Sequence, residues 1–387
     1  MLIRWRGLMS LFLHASLDVM RNRALYCGWS FGFQCLLLLC AIGFSFASPG
    51  DQSIPYQSCL RRCIGDDCST SGLREKFLLR RPWYLSVLDW DCLDECRYGC
   101  MWHALEFFES VGEPVPQFHG KWPFLRMYGI QEPASVLFSL LNGLSHVWMW
   151  RKFCAKVPPT APNYLIWNGQ ALLSINAWFW STIFHARDTP VTEKLDYFCA
   201  FSLVLYSLYS LCIRIFGTGA PFFTFSLSAP FVAFFAYHIH YLAFVHFDYG
   251  YNMRTNVVAG LLSSAGWLAW CWSKRHRGPY IWRCVVVTIA VNALLLLELG
   301  DFPPWMFILD AHALWHLGTA PLPFLWYRFL IEDSLYELKL IKARSKEKVY
   351  TGAPCPSCEN HKLSMNAENK VEYVTQNGNH TGKIKIS

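Results

Sequence analysis

Asn176-Ala-Trp-Phe-Trp-Ser-Thr-Ile-Phe-His185 closes one apolar stretch of this chain, and Leu309-Asp-Ala-His-Ala-Leu-Trp-His316 opens another far along the sequence. Ser181 and His185 are four residues apart, as are His312 and His316, and Asp196 follows His185 by eleven. Residues four apart share one face of a helix. Imidazole, hydroxyl and carboxylate groups at membrane depth are costly to place, and where they persist they are paired or functional. The flanking residues therefore decide the fold, and the polar ones point to the chemistry.

Working outward, seven apolar segments lie near Pro133–Trp150, Tyr164–Phe184, Tyr197–Phe216, Pro221–Phe244, Val257–Trp272, Ile281–Leu299 and Trp305–Ile331. Each approaches the roughly 20 residues that cross hydrocarbon as a helix, and Trp and Tyr gather at their ends as interfacial anchors do. The 387 residues are 53% hydrophobic and only 16% charged, against about a quarter charged in soluble domains. The expected fold is an all-α polytopic membrane protein, with seven transmembrane helices following a disulfide-rich lumenal N-terminal region. The net charge of +7 is dispersed over short loops and a tail rather than one patch, which excludes a nucleic-acid partner.

Arg21 and Arg23 precede an apolar run from Phe31 to Phe46, and Ser45 and Ala47 form a small-x-small cleavage site. Residues 1–47 thus read as a signal peptide with an extended n-region, cut after Ala47; translation from Met20 would give an n-region of ordinary length. Behind it, residues 48–131 carry Cys59, Cys63, Cys68, Cys92, Cys96 and Cys100. In an oxidising lumen these form a disulfide framework whose pairing the sequence leaves open, and the four-residue spacings suggest helical turns stapled face to face.

The loops orient the bundle. Arg151, Lys152 and Lys156, the turn with Arg214, the loop with Lys274, Arg275, Arg277 and Arg283, and the stretch with Lys339, Lys342 and Arg344 fall on one side. The opposite loops are poorer in Lys and Arg, which places the first set in the cytosol. Residues 132–332 are expected to form the seven-helix transmembrane domain, and 333–387 a cytosolic tail, mostly disordered. Lys383 and Lys385, fifth and third from the end, match a dilysine address read by coat proteins.

With this topology Ser181, His185, Asp196, His312 and His316 all fall at one lumenal depth, although the topology used none of them. Three neutral imidazoles with an open fourth position make a catalytic zinc site, a nearby carboxylate can take a proton from water, and a hydroxyl can donate to a developing oxyanion. The alternative for each pair alone is interhelical packing; their joint placement favours the metal. Asp310 reads as a helix cap, and Asn142 and His146 as interhelical hydrogen-bonding residues. His238, His240, His246 and Asp248 read as interfacial residues.

These motifs, with Pro116–Phe124, Gln131-Glu-Pro-Ala-Ser135, Glu193–Ala200 and Phe247–Asn252, resemble the post-GPI-attachment-to-proteins factor 3 family of Per-like GPI-remodelling phospholipases. That family is similar in turn to the alkaline ceramidases and the progestin/adiponectin receptors. The resemblance implies phospholipase A2-type removal of the sn-2 unsaturated acyl chain from protein-linked GPI at a Golgi membrane, with cycling through the endoplasmic reticulum. It implies Zn2+ held by His185, His312 and His316, with Asp196 as base and Ser181 stabilising the oxyanion. GPI-anchored proteins and membrane lipid are the implied partners. A ceramidase-like amidase and a non-catalytic seven-helix receptor or lipid-binding scaffold are the rival readings.

Overall fold

The computed structural model describes residues 48–217, 221–352, 361–365, 370–375 and 383–385. The expected signal peptide lies outside the described residues.

The N-terminal region is a helical hairpin held covalently. Helix α1 (Ile54–Cys63) starts at Ser53, whose side chain accepts from the Tyr56 amide, and runs into a π-helical turn at Ile64–Cys68. After α2 (Ser71–Arg80), α3 (Cys92–Ser110) begins with a reciprocal capping box between Asp91 and Asp94. Each device satisfies amides that a helix start leaves open. Disulfides Cys59–Cys100, Cys63–Cys96 and Cys68–Cys92 join α1 and its π turn to α3 in antiparallel order. The spacing expectation is met: two helical faces are stapled together. The core beneath is small, centred on Tyr56, Ala104 and Phe118. A region this size gains much of its stability from such cross-links.

Seven longer elements follow. They are α4 (Pro133–Lys156), α5 (Tyr164–Ala186), α6 (Pro190–Phe216), α7 (Pro221–His240), α8 (Tyr249–Lys274), α9 (Ile281–Gly300) and a broken pair, α10 (Ala311–Thr319) and α11 (Leu322–Gly352). Among the described residues, Pro190–Phe216, Thr224–Val245 and Ile281–Glu298 are long and apolar enough to cross a membrane by length and composition. Helices α4, α5 and α8 carry buried polar residues, including Ser135, Ser139 and Asn142 on α4, Gln170 and Ser174 on α5, and Asn252 and Ser263 on α8. Those residues serve packing between helices and lower the mean hydropathy of each segment.

The seventh apolar segment differs from its expectation. Instead of one helix, Trp305 pairs with Leu309 in an isolated bridge, α10 follows, and the chain breaks before α11. Pro321 and Pro323 supply the reason, since proline removes a helix hydrogen bond and restrains the residue before it. Asp310 caps α10, its Oδ1 accepting from the Ala313 amide at 2.8 Å, as expected. Helix α11 continues to Gly352, so the start of the expected disordered tail is ordered. Three short strands pair antiparallel beyond it: β1 (His361–Met365), β2 (Lys370–Thr375) and β3 (Lys383–Lys385). Among the described residues the all-α expectation thus holds as far as Gly352, apart from isolated bridges in loops, and gives way to strands in the tail.

Helices α4, α5, α6, α8 and α9 pack in succession, and α10 and α11 close the ring between α9 and α4, while α7 leans on α6. Close approach needs small residues. A Cβ on Gly169 would collide with the Tyr206 hydroxyl, which donates to the Ile166 carbonyl at 3.0 Å. The aromatic core of Phe153, Trp167, Trp267, Trp270, Tyr280, Tyr327 and Phe329 lies toward one end. Beside it Arg214, expected as a turn charge, is instead buried in α6 and paired with Asp333 of α11.

The other end receives the disulfide-bonded region. The amides of Gln131 and Glu132 each donate to the end of α5, at Ala186 and His185, over 3.0 Å. Leu125 donates its amide to Phe307, Gln117 and Trp122 bond Asp301, and Arg187 bonds the Leu88 carbonyl and the Asp94 carboxylate. These contacts fix the N-terminal region over the end of the bundle that carries the histidines.

Candidate metal centre

His185 lies in the last turn of α5, and His312 and His316 lie one turn apart on α10. Their Nε2 atoms converge: 2.8 Å between His312 and His316, 3.2 Å between His185 and His316, and 3.3 Å between His185 and His312. Tetrahedral zinc, with Zn–N near 2.0–2.1 Å, holds its ligand nitrogens about 3.3 Å apart. Two of the three separations match that value and the third is slightly tighter. A second grouping, Cys63 and Cys96 with Asp67, offers no thiolates because its cysteines form a disulfide.

The far side of the rings supports the same reading. His185 Nδ1 is 2.6 Å from Glu132 Oε2, and His312 Nδ1 is 2.6 Å from Glu298 Oε2. A carboxylate on Nδ1 fixes the tautomer with its proton there and leaves the Nε2 lone pair facing the cluster, the usual arrangement behind a metal-bound histidine. His316 Nδ1 is buried without a partner among the described residues. Its ring is held instead by packing, edge-on to Trp178 at 5.2 Å and beside Trp315 at 5.0 Å. The donor set therefore fits zinc.

Glu132 sits where α4 needs an N-cap, yet it makes no cap hydrogen bond. Its carboxylate is committed to His185 and to Lys121, whose Nζ is 2.9 Å from Glu132 Oε1 and 2.9 Å from Asp188 Oδ2. Burial by itself would push the Glu132 carboxyl up, but the Lys121 ammonium and His185 outweigh it and hold the acid well below the usual carboxylate range. Burial would likewise lower Lys121, and the carboxylates of Glu132 and Asp188 raise it above an ordinary lysine. Lys121 and Glu132 thus hold each other in their charged forms.

The other expected residues fall nearby. Ser181 is buried one turn before His185, its hydroxyl 3.1 Å from that of Ser139 on α4. Asn142, one turn beyond Ser139, donates to the His316 carbonyl at 2.7 Å, which meets its expected interhelical role. His146 does the same work with the Tyr327 hydroxyl at 3.3 Å. Asp196 is half-buried on the first turns of α6, within electrostatic reach of His312 and Lys121, and among the described residues no hydrogen bond or ion pair engages its carboxylate. Of the polar residues around α7, His238 is fully buried, its ring tilted against Phe201 with centroids 3.9 Å apart and bonded to Asn252, while Asp248 caps α8. His240 and His246 are exposed.

The sequence alone assigns no site role to Glu132, Glu298 or Lys121. Glu298 left a signal: it ends a run from Cys284 to Leu297 that carries no charge, and a lone carboxylate at membrane depth is functional by default. Removing it has a measurable consequence. Glu298→Ala is expected to weaken zinc binding about 10–100-fold, the usual cost of losing such an orienting partner, in a competition titration against a chelator. Glu298→Gln, which keeps an acceptor, should lose less. Equal affinity for all three proteins would mean that the carboxylate does not hold the ring.

The fold and site define a helical membrane protein in which three convergent histidines, two of them backed by carboxylates, could hold a metal ion. The chain belongs to the Per1-like family, whose model matches residues 82–334. It is 48% identical over 304 residues to the GPI-specific phospholipase A2-like PGAP3 of Xenopus tropicalis, covering 79% of this chain and 96% of that protein. Identity to the human protein of the same name is 44% over 306 residues, covering 79% and 95%. The Drosophila melanogaster post-GPI attachment to proteins factor 3 is 42% identical over 305 residues, covering 78% and 93%. No solved structure matches the chain.

Proposed function

We propose that this chain remodels GPI anchors, hydrolysing the sn-2 unsaturated acyl ester of protein-linked GPI. The observation that carries this reading is the trio of Nε2 atoms at the junction between an apolar bundle and a polar, disulfide-bonded region. An ester linking an acyl chain to a glycolipid headgroup belongs at such a boundary. The names of the relatives support GPI remodelling as the process.

His185, His312 and His316 would hold zinc, which supplies Lewis acidity toward an ester carbonyl and toward water. Glu132 and Glu298 keep the two ring tautomers that present Nε2. The unengaged carboxylate of Asp196 takes a proton from the attacking water. The Ser181 hydroxyl, released from Ser139, donates to the oxygen that becomes negative as the carbonyl is attacked. The ester C–O bond then breaks, the alkoxide of the lyso-lipid takes up the proton, and a free fatty acid leaves.

Seven crossings of the membrane, with the histidines on the lumenal side, complete the proposal. Disulfides persist in oxidising compartments, and the region containing them covers the histidine end of the bundle. The cytosolic bias of Lys and Arg supports the same orientation. Residence in the Golgi and coat recognition of Lys383 and Lys385 belong to this reading as well.

The test is mass spectrometry of GPI lipids from cells lacking the activity and supplied with the wild-type chain or His312→Ala. Exchange of the unsaturated sn-2 chain for a saturated one with wild type alone is the expected result. If the wild type leaves the GPI lipid unchanged, the substrate is wrong, and ceramide turnover becomes the assay to run. If both proteins restore the exchange, hydrolysis resides elsewhere and the chain acts as a scaffold.

A further inference from the structure

A cleft of about 360 Å³ opens between the disulfide-bonded region and the bundle, within the size range of small-molecule sites and at a junction where such sites form. Arg97, Lys121, Trp122, Arg126, Arg187 and Asp188 are among the side chains that line it. Lys121 and Asp188 are also the outer members of the ion group that holds His185 through Glu132. One wall of the cleft is therefore the back of the metal centre.

The lining is organised for a polar, anionic guest. Arg126 and Arg187 sandwich the Trp90 ring, with their guanidinium carbons 3.3 and 3.6 Å from its centroid, and each is fixed by a carboxylate, Glu95 for Arg126 and Asp94 for Arg187. These cations are positioned before any ligand arrives. Arg97 is different: its contact to Asp94 is long, at 3.6 Å, and its side chain is 47% exposed. Its guanidinium has donors to spare, and guanidinium groups recognise phosphate through paired, charge-assisted hydrogen bonds. Trp122 is pinned through its indole N–H to Asp301, and among the described residues no aromatic ring or cation stacks on its face. An anchored indole with a free face suits the apolar side of a sugar ring, while Asp94 and Asp188 can accept from sugar hydroxyls.

We infer that this cleft is the headgroup subsite, binding a phosphorylated glycan with Arg97 on the phosphate and Trp122 under a sugar. This rests on the proposed acyl-ester hydrolysis and adds to it where the rest of the substrate goes. In a glycerophospholipid the sn-2 ester is only a few bonds from the phosphate, so an ester at the histidines puts the headgroup in the adjoining polar space. Selection of GPI over ordinary phospholipids then comes from the disulfide-bonded region, not from the metal centre.

The experiment uses the full chain in detergent micelles and two probes. The first is the water-soluble glycerophosphoinositol glycan released from GPI by deacylation, with its binding followed by calorimetry. The second is an intact diacyl GPI-anchored protein, used to measure KM and kcat. Arg97→Glu and Trp122→Ala are each expected to weaken headgroup binding at least tenfold and to raise KM on GPI by a similar factor. Trp122→Phe, which keeps a stacking face, should recover most of the binding. Zinc content and intact disulfides report that each variant is folded. A wild-type chain that hydrolyses GPI yet does not bind the headgroup, or variants that bind and turn over like wild type, would overturn the subsite. A wild-type chain that binds the headgroup but leaves the acyl ester intact would uphold the cleft and sink the hydrolytic reading.

Discussion

His316→Ala is expected to abolish stoichiometric zinc binding and to lower acyl-ester hydrolysis by roughly a thousandfold or more, since a single preorganised electrostatic contact is already worth a factor of 10²–10³. Its Nε2 lies within 3.2 Å of both other ligand nitrogens, so its loss reduces a three-nitrogen site to two. No other described histidine or carboxylate is grouped with the trio to replace it. His316 is also 2% exposed, and truncation leaves a cavity beside Trp178 and Trp315. A drop in activity alone would thus be ambiguous. Zinc counted by elemental mass spectrometry, alongside thermal unfolding of the metal-free protein, separates the two effects. His316→Gln fills most of the volume and offers a weak ligand, so it should restore stability without restoring tight zinc binding. Retention of one zinc per chain with near-normal hydrolysis in His316→Ala would end the metal reading.

The trio was legible because helical spacing shows in sequence. His312 and His316 share a helix face, Ser181 and His185 share another, and the topology brought both to one depth without using them. Their carboxylate partners were not legible in the same way. Glu132 meets His185 across 53 residues, and Glu132 beside Pro133 reads locally as a helix start, where an acid is ordinary. Only tertiary contact diverts its side chain from capping to the imidazole and to Lys121. The disulfide order was likewise open until α1 and α3 were placed antiparallel, which matches Cys59 with Cys100 and Cys68 with Cys92. The break between α10 and α11 had a visible cause in Pro321 and Pro323. The apolar content of that segment masked it, since hydropathy records burial and not helix continuity. The break matters to the site, because α10 alone must bring both of its histidines to His185.

Arg214 shows the same limit at the other end, and it carries the largest expected effect on stability. Basic residues at helix ends usually face headgroups or water, yet Arg214 and Asp333 have side chains only 7% and 2% exposed. Arg214 Nε and Nη2 donate to the two Asp333 oxygens at 2.6 and 2.8 Å, Tyr280 adds its hydroxyl at 3.1 Å, and Glu337 accepts from Arg214 at 2.9 Å. Glu337 also accepts from Arg277. Asp333→Ala leaves a buried guanidinium with one remaining carboxylate, and breaking such a pair costs about 3–5 kcal/mol. Arg214→Met combined with Asp333→Leu should recover much of that loss, because apolar packing in place of both charges is often neutral or better. Both variants should keep wild-type zinc content below their unfolding temperatures: eighteen residues of α6 separate Arg214 from Asp196, about 27 Å of helix. The decisive comparison is thermal unfolding in one detergent of wild type, the single variant and the pair. If the single substitution is harmless, or if the pair is no more stable than it, the ion pair does not hold α6 to α11. The aromatic core of Trp267, Trp270 and Phe329 beside it would then carry that junction alone.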